Sequence, residues 1–108
     1  MSTELLEACS NYALRREERR RHERQNVVYQ VRIWKRDKSY SAVLVDIGVD
    51  GVSFTSFAPF RVGNRVLIDL DANGATPAFV IWDNGVRTGC AFEQPIRPEL
   101  VRRIAGQN

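Results

Sequence analysis

From Val27 onward the chain reads as a run of short segments in which apolar and polar positions alternate with period two. Val27, Tyr29, Val31 and Ile33 alternate with Val28, Gln30, Arg32 and Trp34, the pattern of a strand with two usable faces. The polar stretch Lys35–Ser39 predicts a turn, and Tyr40–Ile47, rich in β-branched and apolar residues, predicts a second strand ending in a glycine-bearing loop, residues 46–51. Val52 and Phe54 mark a third short strand, and Pro59 with Gly63-Asn64 punctuates the connection to a fourth at 65–70. Residues 71–74 form a turn signal. A fifth strand is expected over 77–83 and a sixth over 86–92, joined at Asn84-Gly85, a dipeptide favoured in two-residue hairpins because both positions tolerate positive φ. Leu100, Val101 and Ile104 share one face of a short helix over 99–105, with Pro98 acceptable in its first turn. Residues 3–18 carry a weaker helical pattern through Leu5, Leu6, Cys9, Tyr12 and Ala13. Six regularly spaced strands without intervening helices predict an all-β, six-stranded antiparallel sheet closed into a small barrel. A short N-terminal helix or arm precedes it and a short C-terminal helix follows.

Length and composition narrow the picture further. At 108 residues there is room for one domain; the division expected is an N-terminal helix or tail over 1–18 and a barrel with its terminal helix over 19–108. The hydrophobic fraction of 44% and charged fraction of 27% match ordinary soluble domains. No run approaches the ~20 apolar residues of a membrane-spanning helix, and the acidic N-terminus lacks the features of a secretory signal, so the expected location is the cytoplasm. Cys9 and Cys90 stand too far apart to suggest a metal cluster or disulfide framework, and Cys90 sits in an apolar strand pattern as a small core residue.

The net charge of +3 is concentrated. Residues 15–24 hold six arginines and three glutamates, a local +3, leaving ten basic and ten acidic residues elsewhere. A ligand drawn by charge is therefore anionic and meets this segment.

Two sites in this order resemble the PilZ family: Arg20-Arg-His-Glu-Arg24, an Arg-x-x-x-Arg motif ahead of the first strand, and Asp46-Ile-Gly48-Val-Asp-Gly51 after the second. The family's second motif carries serine where this chain has Gly48. The likeness continues through Phe60-Arg-Val-Gly63, the Val80-Ile-Trp82 strand and Gly89-Cys-Ala-Phe92, similar to the Gly-x-x-Phe ending of the family's last strand. The resemblance implies a PilZ-like split barrel that binds cyclic di-GMP through Arg19, Arg20, Arg21, Arg24, Asp46, Gly48 and Gly51, with no other cofactor. The residue before the first arginine of the motif influences ligand number in the family; arginine, here Arg19, goes with a stacked pair of messengers.

Elementary chemistry agrees with that implication. Guanidinium groups fork onto phosphate oxygens or onto guanine O6 and N7. A carboxylate at Asp46 accepts from a guanine N1 and N2 edge, and Gly51 permits a sharp turn and close approach. The missing serine hydroxyl is worth about 1 kcal/mol, a few-fold to tenfold in affinity.

The leading expectation is a receptor that passes messenger level to an unidentified protein partner. The alternative is a degenerate PilZ-like adaptor that makes protein contacts without nucleotide, which Gly48 favours and the intact arginine pair opposes. A nucleic-acid-binding barrel ranks last, because the balanced charge outside 15–24 offers no extended cationic groove. Homodimerisation through the N-terminal helix is open. His22, the single histidine, lies in the basic segment with no nucleophile nearby, so the chain is not expected to be an enzyme.

Overall fold

The computed structural model describes residues 24–72 and 74–106; the helix expected over 3–18 and Arg19, Arg20 and Arg21 lie outside them. Six strands, β1 (Gln25–Lys35), β2 (Lys38–Ile47), β3 (Gly51–Thr55), β4 (Arg65–Asp71), β5 (Gly74–Asp83) and β6 (Thr88–Phe92), are followed by helix α1 (Pro98–Ala105). Each strand pairs antiparallel with its neighbours, and the sheet closes in the order β1-β2-β3-β6-β5-β4. Closure removes the exposed edges that an open sheet would present.

The expected period-two faces build the core. Val31, Ile33, Ala42, Leu44, Val66, Ile68 and Leu70 alternate inward along β1, β2 and β4, meeting Phe54, Val80, Cys90 and Phe92 from the remaining strands. Phe60, from the β3–β4 connection, stacks edge-on against Phe54 at 5.3 Å between ring centroids. Helix α1 begins with Pro98 at its first turn, where a missing N–H costs nothing, and buries Leu100, Val101 and Ile104 on the barrel. Cys90 is a core residue; burial pushes its thiol pKa far up.

One turn falls where it was expected, within 35–39, and one departs from expectation. The tight two-residue hairpin is Arg36-Asp37, between the paired Lys35 and Lys38, and Arg36 takes φ 60° there. Asn84-Gly85 instead opens a four-residue loop, residues 84–87, between Asp83 and Thr88. There Asn84 holds the loop with its side chain as well as its backbone: Oδ1 accepts from the N–H groups of Val86 and Arg87 at 2.9 and 2.8 Å, its own N–H donates to the Arg87 carbonyl at 3.1 Å, and of the loop residues only Gly85 has positive φ. Asparagine's capacity to accept locally from the backbone outweighs its tolerance of a left-handed conformation at this loop. β5 also starts earlier than the pattern indicated, at Gly74, because Ala75 and Thr76 carry the strand without a strong apolar signal.

Candidate functional site

Strand register delivers the site. Gln25 pairs with Ile47 and Asn26 with Asp46, so Arg24, immediately ahead of β1, lies over the end of β2 and the loop that follows it. Its guanidinium NH1 donates to Asp46 Oδ1 at 2.9 Å, and NH2 stands 3.5 Å from Asp50 Oδ1. Arg24 and Asp46 are each about one-fifth to one-quarter exposed, so the pair is partly screened by solvent and worth on the order of 1 kcal/mol. Arg24 Nε is buried with no hydrogen-bond acceptor among the described residues.

Asp46 reaches this position because of a bulge. Leu44 pairs with Phe54 and Asp46 with Ser53, which leaves Val45 as one extra residue in β2. In a regular strand Asp46 would follow Leu44 into the core, two residues on; the extra residue turns the carboxylate outward while Ile47 returns to the interior. Across the bulge, the Ser53 hydroxyl donates to Asp46 Oδ2 at 2.7 Å. Ser53 is 2% exposed, so this charge-assisted bond fixes the carboxylate from beneath while Arg24 holds it from above.

A second bulge shapes the opposite wall. Val80 pairs with Cys90 and Trp82 with Gly89, so Ile81 is the extra residue and Trp82 leaves the interior face it would otherwise share with Val80. Its indole packs against Gly89, where an added Cβ would fall 2.1 Å from the ring. Glycine at 89 is thus a packing requirement. Arg24, Asp46, Val52, Ser53, Ile81, Trp82 and Cys90 together line a shallow depression of about 320 Å³.

The glycines carry different duties from one another. A Cβ on Gly51 would meet the Cys90 carbonyl oxygen at 2.2 Å, so Gly51 lets β3 approach β6, and the constraint on it comes from the strand partner. Gly48 donates its N–H to the Gly51 carbonyl at 2.9 Å, closing the loop, and a Cβ there would touch Arg24 Cδ at 3.0 Å. The absent side chain at 48 is the space across which Arg24 lies.

Of the residues expected at the site, Arg24, Asp46, Gly48 and Gly51 are brought together, and Arg19, Arg20 and Arg21 fall outside the described residues. Ser53 and Trp82 line the same depression and Asp50 stands beside Arg24, and none of the three was among the expected site residues. Ser53 read as the solvent-facing member of an alternating strand; the usable signal was its place across a short loop from Asp46. No group of His, Cys, Asp or Glu suited to a metal occurs among the described residues.

A small closed antiparallel barrel, with a paired arginine and aspartate beside a loop of the form Asp-x-Gly-x-x-Gly, defines the class. Residues 18–106 match the model of the PilZ domain family, and the chain belongs to that family. The inhibitor of motility from Bacillus subtilis (MotI/DgrA) is similar in structure, with a TM-score of 0.56 and 14% identity over 82% of this chain. The match spans 49% of that protein, so this chain corresponds to about half its length. The PilZ domain of YcgR from Escherichia coli, solved with c-di-GMP, is similar with a TM-score of 0.55 and 18% identity, covering 80% of this chain and 86% of that one. No curated protein matches the sequence. Among the described residues no helix is long and apolar enough to cross a membrane.

Proposed function

We propose that this chain is a cyclic di-GMP receptor domain that reports messenger level to a protein partner. The observation that carries the reading is Arg24, the last arginine of the basic segment, held over a carboxylate that Ser53 has already oriented. The ligand's phosphates suit the local excess of positive charge at 15–24. Its guanine edges suit the arginine and the carboxylate: Arg24 offers planar N–H donors to O6, N7 or a phosphate, and Asp46 keeps lone pairs for a guanine N1 and N2 edge. Trp82, about one-third exposed on the same depression, offers an aromatic surface to a base. The likeness to the messenger-bound domain of YcgR supports the barrel on which this reading stands.

In this reading the arm bearing Arg19, Arg20 and Arg21 closes over the ligand, with Arg19 or Arg21 supplying the further cation that a stacked messenger pair requires. Ordering of the arm then changes the surface offered to the partner. The adaptor reading is favoured by one observation, Gly48 in place of the family serine.

Isothermal titration of the purified chain with cyclic di-GMP near physiological salt separates the two. The receptor reading expects saturable binding at low-micromolar Kd or tighter, and a loss of about tenfold to a hundredfold in Arg24→Ala, the equivalent of one or two charge-assisted hydrogen bonds. Two messengers per chain support the Arg19 assignment and one per chain removes it. No heat and no competition at high messenger concentration would overturn the receptor reading in favour of the adaptor.

A further inference from the structure

The far end of β1 from Arg24 carries a second concentration of positive charge, which the messenger site does not use. There, at the β1–β2 turn, Lys35, Arg36 and Lys38 fall within four residues. β4 begins across from them with Arg65, and the four cations line a pocket of about 650 Å³ together with Asp37, Tyr40 and the Gly63-Asn64 turn. Asp37 is the one carboxylate among the described lining residues. Glu93 engages Arg65 at 2.7 Å, and with that cation set aside the three at the turn still outweigh Asp37. The even count of basic and acidic residues outside 15–24 conceals this gathering, which only the fold produces.

Two features of the turn work against stability. Lys35 and Lys38 are direct cross-strand partners, and like charges so placed destabilise a sheet. Arg36 adopts φ 60°, a conformation that glycine takes without strain. Local costs of this kind collect where a site is held ready for a ligand. Lys35 is also fixed in place: its ammonium donates to the Pro59 carbonyl at 2.9 Å and lies over the Tyr40 and Phe60 rings at 5.9 and 5.6 Å from their centroids. Its position is set before any anion arrives.

We propose that this pocket binds a compact oligophosphate, recognising the phosphate chain of a small molecule rather than its organic part. Several cations around one cavity suit a group that carries several charges in a small volume, as a di- or triphosphate does and a single carboxylate does not. Guanidinium groups fork onto phosphate oxygens, and ammonium groups add point charge. The volume lies in the range of small-ligand pockets. The Tyr40 ring packs edge-to-face with Phe60 and lies under Lys35, so it is already engaged and makes a poor platform for a base. The charge does not run on into a groove: farther along β1 the Arg32 guanidinium is bonded to the Ser39 hydroxyl and the Trp34 indole to the Asp69 carboxylate, an arrangement unsuited to a long polyanion. The pocket acts independently of the Arg24 site, and its failure leaves the receptor reading standing.

The test titrates the full chain, enriched in nitrogen-15, with sodium tripolyphosphate at constant ionic strength near physiological salt. The expected result is saturable movement of the amides at 35–40 and 63–65 with a Kd below about 1 mM, and a loss of at least about tenfold in affinity in Arg36→Gly with Lys38→Gln. Both substitutions relieve the costs of the turn, so the variant is expected to unfold at the same temperature as the parent or higher, which separates lost binding from lost folding. A lower unfolding temperature would overturn the claim that the turn is strained for its site. Movement confined to residues 24 and 46–51, unchanged affinity in the variant, or no saturation overturns the proposal. Two comparison ligands fix the chemical class. A nucleoside triphosphate is expected to bind within about threefold of tripolyphosphate, and binding tighter by about tenfold would assign the site to a base instead. Oligoglutamate of matched charge is expected to bind at least about tenfold more weakly, and equal binding overturns the phosphate assignment.

Discussion

Replacing Ser53 with alanine tests whether the carboxylate at the site is held from within the sheet. The substitution deletes one oxygen and leaves Val52 and Phe54 packed as before. The bond lost is a 2.7 Å donation to an ionised acceptor, a class worth about 1.5–3 kcal/mol. Asp46 retains Arg24 and is one-fifth exposed, so water recovers part of the loss and the expected cost is at the low end, about 1–2 kcal/mol. In thermal unfolding that is a Tm lower by about 4–8 °C for each kcal/mol in a domain of this size. The decisive assay is a double-mutant cycle in urea. Ser53→Ala in an Asp46→Ala background is expected to cost less than half as much as in the parent, because its partner is already gone. Equal costs in the two backgrounds would refute the claim that the hydroxyl works through Asp46. A loss under about 0.5 kcal/mol in the parent would refute the magnitude. Messenger affinity, titrated separately, is expected to fall about threefold to tenfold as the carboxylate loosens.

Three further outcomes follow from the same geometry. Gly51→Ala drives a methyl into the Cys90 carbonyl and forces β3 from β6; urea unfolding is expected to show a loss of about 3 kcal/mol or more, the top of the overpacking range. Gly48→Ser presses on the flexible Arg24 side chain and meets Asp50 Oδ1 at ordinary contact distance, so stability changes by less than about 1 kcal/mol while the restored hydroxyl raises messenger affinity by up to about tenfold in titration; weaker binding would show that Arg24 needs the space. Burial raises the Cys90 pKa, so the thiol is protonated in both folded and unfolded chains below about pH 8.5, and above it ionises only when unfolded. Stability is therefore expected to fall with rising alkalinity at up to about 1.4 kcal/mol per pH unit. Urea midpoints from pH 8 to 10 should show a shallower fall in Cys90→Ala.

Where side chains alternate without interruption, the architecture was legible. Val31-x-Ile33, Ala42-x-Leu44 and Val66-x-Ile68-x-Leu70 each name an inward face, and Pro98 with Leu100, Val101 and Ile104 names the helix that packs on it. The arginine and glycine motifs identified Arg24 and Asp46 as neighbours though 22 residues separate them. Illegible were the reason for Gly51, which depends on a carbonyl from β6, and, within the expected 35–39 turn, the positive φ of a non-glycine residue, Arg36.

The site itself depends on what alternation cannot express. Asp46 two residues after Leu44, and Trp82 two residues after Val80, belong to interior faces by period two, where an aspartate would pay a large desolvation penalty and an indole would overfill a core already occupied by Phe54 and Phe92. Both conflicts are relieved in the same way, by one extra residue, Val45 or Ile81, that turns the larger or more polar side chain outward. The two bulges face each other across β3 and β6, so the side chains they expel arrive in one depression with Ser53 and Arg24. A polar or oversized residue at an inward position of an otherwise regular strand is therefore a signal in its own right. Two such residues on strands separated by a buried pair mark the place where a small barrel opens a site on its wall.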